Sequence, residues 1–198
     1  PEDDEEEHGH EFVFLTDYPK HIRPFYHMRH EANPELTPHC VSLTQISQAQ
    51  IDASDIFEDV LDEASAWVAQ LTTPEAEGDE PLSVRTVAFG LPVMKELLLD
   101  QIEDEELTQP TWLKGWVNLQ HAFHRHFAMR GRLPLHEALS YLGLTPKGRT
   151  HSAIDDAHNV AQILSELIQL DARMDPVSDQ NHSNSYGSSF QEKPGDWR

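Results

Sequence analysis

The sequence predicts an α/β fold, a mixed β-sheet flanked by helices on both faces. Two observations carry that expectation. Short apolar runs of strand length, such as Phe12-Val13-Phe14-Leu15 and Ser83 to Gly90, precede longer segments whose apolar residues recur at three- and four-residue spacing. Strands that alternate with amphipathic helices bury their apolar faces most simply as helices packed on a sheet. No internal repeat is present, and at 198 residues the chain is one domain by length.

In chain order, residues 1–10 form an acidic run with no apolar anchor and are expected to be a disordered arm. The domain proper is expected over 11–172. Phe12–Leu15 reads as a buried strand ended by Asp17 and Pro19. Residues 21–30 alternate weakly around Ile22, Phe25, Tyr26 and Met28 as a second strand, with Pro24 at its edge or start. Residues 31–50 read as loop and turn, punctuated by Asn33-Pro34 and Thr37-Pro38.

A helix follows over 55–71, with Ile56, Val60, Leu61, Ala64, Trp67, Val68 and Leu71 along one stripe. Residues 72–81 are a loop, 83–90 a strand and 94–102 a helix with an acidic tail. A short strand is expected near Trp116–Leu119, then helices at about 119–129 and 134–142. The last helix spans about 153–170, with Ala153, Ala157, Val160, Ala161, Leu164, Leu167 and Ile168 as its apolar stripe. Residues 173–198, rich in Ser, Asn and Gly, read as a flexible polar tail.

Charge divides the chain. Fourteen Lys and Arg face 35 Asp and Glu, a formal charge of −21, which opposes nonspecific affinity for nucleic acid. Residues 52–106 hold a dense acidic load against only Arg85 and Lys95. Residues 110–153 reverse this, with Lys114, Arg125, Arg130, Arg132, Lys147 and Arg149 against Glu137 alone. That basic segment is the expected polyanion-facing surface. A single cysteine, Cys40, rules out an internal disulfide and fits a reducing compartment. No apolar run reaches membrane-spanning length and no signal-peptide pattern opens the chain, so an intracellular, non-secreted protein is expected.

The chemistry concentrates at Gly148-Arg149-Thr150-His151-Ser152-Ala153-Ile154-Asp155-Asp156. Helical geometry puts Asp156 one turn from Val160, along the buried edge, and turns Asp155 away. A carboxylate beside a core is costly unless a metal or a donor answers it. His121, His124, His126 and His136, with His39-Cys40, lack the spacing of a zinc site.

This His-x-Ala-x-x-Asp helix entry resembles the third motif of the DEDDh 3′–5′ exonucleases, in the branch that trims histone mRNA, small RNAs and ribosomal RNA ends. The resemblance extends through Asn33-Pro34, Cys40, Ser42-Leu43-Thr44, Ile46, Gln48, Ile51-Asp52, Phe57, Val60-Leu61 and Trp67, and covers residues about 25–170. It implies an RNase H-like fold with four carboxylates holding two Mg²⁺ ions. His151 would be the general base and Asp156 a metal ligand. Leu43, Thr44, Gln45 and Ile46 would lie beside the 3′ nucleotide, with Gln45 where the family usually has glycine. Arg125, Arg130, Arg132 and Arg149 are the candidate nucleic-acid contacts.

The other two motifs are degenerate. The second aligns its metal-holding aspartate with Val93, which cannot ligate a hard cation. In the first, Pro19 stands where a glutamate is required after Asp17. The expected function is therefore a non-catalytic exonuclease-like domain in a larger assembly, binding a protein partner or RNA, with no cofactor. The alternative is an active Mg²⁺- or Mn²⁺-dependent 3′–5′ exonuclease whose first motif lies upstream of Pro1. A third reading is an unrelated α/β binding domain. If no metal binds, Asp156 would be answered by backbone N–H groups, Arg149 or His151, and its removal would lower stability.

Overall fold

The structure is a computed structural model that describes residues 35–74, 81, 83–90 and 94–177. The acidic arm over 1–10, the strands expected over 12–15 and 21–30, the motif positions Asp17, Pro19 and Val93, and the tail beyond 177 lie outside the described residues.

The stretch read as loop over 31–50 carries two short helices, α1 (Pro38–Thr44) and α2 (Gln48–Asp52). The breakers there are start signals. Thr37 caps α1 by accepting the Cys40 N–H at 3.1 Å, and Pro38 follows at the first helical position, where a missing N–H is harmless. Ser47 and Gln50 form a reciprocal capping box at the start of α2. Helix α3 (Phe57–Leu71) matches its expected span and buries Phe57, Leu61 and Val68.

Strand β1 (Val87–Ala88) is far shorter than the run over 83–90 that predicts it. Its parallel partner β2 (Val117–Asn118) sets the limit, because β2 is squeezed between two other structures. Before it come a 3₁₀ turn (Thr111–Leu113) and Gly115, whose φ of 66° is left-handed. After it, Asn118 already serves as the cap of α5 (Leu119–His126), accepting the His121 N–H at 3.1 Å. Between the strands lies a π-helical turn (Lys95–Leu99) that runs into α4 (Asp100–Asp104). Helices α6 (Leu135–Tyr141) and α7 (Ala153–Gln169) complete the order.

Successive strand residues point to opposite faces, so β1 separates two cores. Val87 and Phe89 pack against Leu119, Phe123, Leu133, Ala138, Leu139, Ile163 and Leu167, the core built by α5, α6 and α7. Ala88 joins Phe57, Leu61, Met94, Ile102, Leu113 and Trp116 on the other side, built by α3, α4 and the 3₁₀ turn. Helices thus flank both faces of the sheet, as expected of an α/β sandwich. The Trp112 indole donates to Ser65 Oγ at 3.0 Å and ties α3 to that second face.

The chain returns to the sheet past residue 173. Val117 forms an antiparallel bridge with Pro176, and the Val177 N–H donates to the Trp116 carbonyl at 2.7 Å. With the parallel β1–β2 pair, this bridge gives the mixed pairing. Arg125 holds the return in place, ion-paired to Asp175 and donating to the Arg173 carbonyl. Among the described residues, no helix is long and apolar enough to cross a membrane.

Candidate functional site

Helix α7 sets the site, but its buried face is not the stripe that simple periodicity selects. Asn159, Ile163 and Leu167 are the buried positions, while Val160 and Leu164 pack at the margin and Ala157 is exposed. The phase shift has a polar cause. Asn159 faces inward because its amide completes the loop before the helix. It accepts the Lys147 N–H at 2.8 Å, donates to the Lys147 carbonyl at 3.0 Å, and accepts from the Gln162 side chain at 3.0 Å. A count of apolar residues cannot see such a position.

Two residues past Lys147, the Arg149 N–H donates to Asp155 Oδ2 at 3.0 Å. Gly148 (φ 66°) lies so close beneath that a Cβ built on it would overlap the Asp155 carboxylate. The Arg149 N–H, with help from the Ser152 hydroxyl, holds the Asp155 carboxyl below the usual aspartate range. Asp155, which the helical wheel turned away from the core, is thus the clamp of the loop.

Arg149 then reaches across the molecule. Its guanidinium donates to the Thr44 carbonyl at 2.6 Å and the Leu43 carbonyl at 3.3 Å, at the C-terminal end of α1. There Gln45 closes the helix in the left-handed region (φ 59°), with its N–H on the Val41 carbonyl at 2.8 Å. Thr44 Oγ1 receives the Ile46 N–H at 3.2 Å. The structure therefore brings Leu43, Thr44, Gln45, Ile46 and Arg149 together.

His151 stands exposed at the head of α7, also left-handed (φ 63°). Burial pushes the Asp156 carboxyl above its ordinary range; the nearby His151 imidazole and backbone N–H oppose this without cancelling it. The Arg149 guanidinium, bonded to carbonyls, helps least. Burial thus disfavours the charged form of Asp156, whereas the reading without a metal expects that charge to be answered by donors.

A carboxyl raised by folding contributes stability that is full below the unfolded value, about pH 4, and is lost as pH rises through the folded value. Asp156→Asn is isosteric and escapes that loss. In EDTA it should melt higher than the parent at about pH 7 and equal to it at about pH 3.5. A variant that melts lower at neutral pH would refute the burial argument.

Arg125 is not part of this cluster, being bonded to Asp175 and Arg173. Arg130 and Arg132 stand exposed on the loop between α5 and α6. His121 crowds His124, whose pKa is lowered first by burial and then by that neighbour. Among the described residues no three His, Cys, Asp or Glu side chains gather to hold a metal ion. Mg²⁺ takes oxygen ligands in near-octahedral geometry, and Asp156 is the ligand that the third motif contributes among the described residues.

The profile of the exonuclease family RNase_T matches residues 19–164. This chain belongs to that exonuclease family. Among solved structures, it is similar to the nuclease domain of 3′hExo, a DEDDh family member, bound to rAMP. That match has a TM-score of 0.66 at 27% identity, over 75% of this chain and 73% of the other. This likeness places the chain among the DEDDh 3′–5′ exonucleases and its fold in the RNase H-like class. Among curated relatives, ERI1 exoribonuclease 3 of Bos taurus is 32% identical over 152 residues, 74% of this chain and 41% of that protein. The 3′-5′ exoribonuclease 1 of Rattus norvegicus is 28% identical over 144 residues, 72% of this chain and 40% of that protein. The exonuclease-family chain thus spans about 40% of the length of these relatives.

Proposed function

We propose that this chain is a non-catalytic member of the exonuclease family that holds the 3′ end of single-stranded RNA as a component of a larger assembly. The sequence feature that supports this reading is Val93, which stands where the family resemblance aligns the metal-holding aspartate of the second motif. Two mutually repelling divalent ions need several carboxylates between them. Asp156 is the one such carboxylate that the third motif supplies, and His151 beside it would have no activated water to serve.

RNA as the ligand is supported by the turn over Leu43–Ile46, which the Arg149 side chain joins to the His151 loop. A relative of known structure was solved with rAMP, a ribonucleotide. Arg130 and Arg132, exposed on the basic segment, would follow the backbone of a longer strand. The exposed acids Glu58, Asp59, Asp62 and Glu63 on α3 would suit a basic protein partner in the assembly.

The purified chain should leave 3′-labelled single-stranded RNA intact in millimolar Mg²⁺ or Mn²⁺ while retaining it in a binding assay. Stepwise loss of 3′ nucleotides, abolished by Asp156→Ala, would establish the enzyme instead. His151→Ala should then cost at least ~10²-fold in rate, as for loss of a general base.

A further inference from the structure

Helix α1 buries none of its residues, and Val41 and Leu43 are exposed on it. Core packing therefore does not place its C-terminal turn. The last carbonyls of a helix lack intrahelical donors and carry the negative end of its dipole, so a cation with several N–H groups is their natural partner. Arg149 supplies one, with Nη2 on Thr44 and Nη1 on Leu43. The residue that follows, Gln45, holds a backbone conformation that glycine adopts freely and L side chains resist.

The other end of this arm is fixed. Asp155 holds the Arg149 N–H, Asn159 holds both backbone groups of Lys147, and Gly148 permits the close approach between them. Helix α7 is thus the mount, residues 147–149 the bracket, and the Arg149 guanidinium the grip on the turn at 43–46.

We propose that Arg149 is a positioning residue: it presets the Leu43–Ile46 turn for nucleic acid and does not itself contact phosphate. The proposal rests on the reading that this chain binds RNA. One N–H of each Nη is engaged with a carbonyl, which fixes the guanidinium on the turn, and Arg130 and Arg132 are exposed basic residues that can meet phosphate. A turn held in shape before binding loses less freedom when ligand arrives.

The test uses the full chain and a fluorescein-labelled oligouridylate with a free 3′-hydroxyl, with affinity measured by anisotropy over a range of KCl. Arg149→Met should weaken binding about tenfold, the cost of one lost interaction of ordinary strength, with the slope of affinity against salt unchanged. Arg149→Lys should fall between, since an ammonium is a point charge without the planar fork. In a Gln45→Gly background, Arg149→Met should lose much less than it does in the parent, because glycine takes the turn unaided. A salt slope reduced by about one, with no relief from Gln45→Gly, would make Arg149 a direct phosphate ligand and overturn the proposal.

A second measurement needs no RNA. Amide exchange at Gln45 and Ile46 should be about tenfold faster in Arg149→Met, through local opening of the turn. Unchanged exchange overturns the proposal whatever the affinities show. If the parent binds no oligouridylate, the RNA reading fails and the positioning role for nucleic acid falls with it, while exchange alone decides whether the grip on the turn is real.

Discussion

Asn159→Leu should lower stability by about 2–4 kcal/mol, as expected when a buried hydrogen-bond network loses its hub. Leucine keeps the branching of the buried asparagine side chain with two somewhat larger methyl groups in place of the amide, so the loss is chiefly polar. It strips Lys147 of the partners for its N–H and its carbonyl, and Gln162 of its acceptor. The measurement is urea unfolding, where the midpoint should fall at an unchanged m-value. A midpoint within error of the parent would mean that solvent replaces these bonds at no cost.

Gly148→Ala should cost about 2–3 kcal/mol. Left-handed backbone at φ 66° is unfavourable for an L side chain by about 1–2 kcal/mol. The new methyl also overlaps the Asp155 carboxylate, which must swing aside and give up the Arg149 N–H, a charge-assisted bond. A cycle separates the two contributions: in an Asp155→Ala background Gly148→Ala should cost only the backbone part, about 1–2 kcal/mol. An equal penalty in both backgrounds would remove the carboxylate from the account.

The same residues show how far the sequence could be read. Periodicity located the helices now seen as α3, α5, α6 and α7, and strands set between helices foretold a sheet covered on both faces. The Gly-Arg-x-His approach to α7 was conspicuous from spacing alone, yet its cause was not. That cause lies in a carbonyl pair at Leu43 and Thr44, more than a hundred positions away, and in a carboxylate over a glycine. Backbone acceptors leave no mark in a sequence. Helices α1 and α2 were legible through Thr37-Pro38 and the Ser47–Gln50 box, but helices that bury almost nothing show no apolar stripe, so their caps passed for turns. Strand β1 was overestimated because a strand is only as long as its partner, and β2 is cut short by its own helix cap.

The return of residues 175–177 to the sheet has a consequence for where the chain can be cut. Val177 and Pro176 occupy the side of β2 turned away from β1. Pro176 has no N–H to offer a further strand, so among the described residues pairing stops there. A protein ended at 172, where the apolar pattern fades, would bare the Trp116 carbonyl and leave Arg125 without Asp175 and the Arg173 carbonyl. Such a truncation should expose an adhesive edge, and light scattering should register more self-association for the shortened chain than for the longer one.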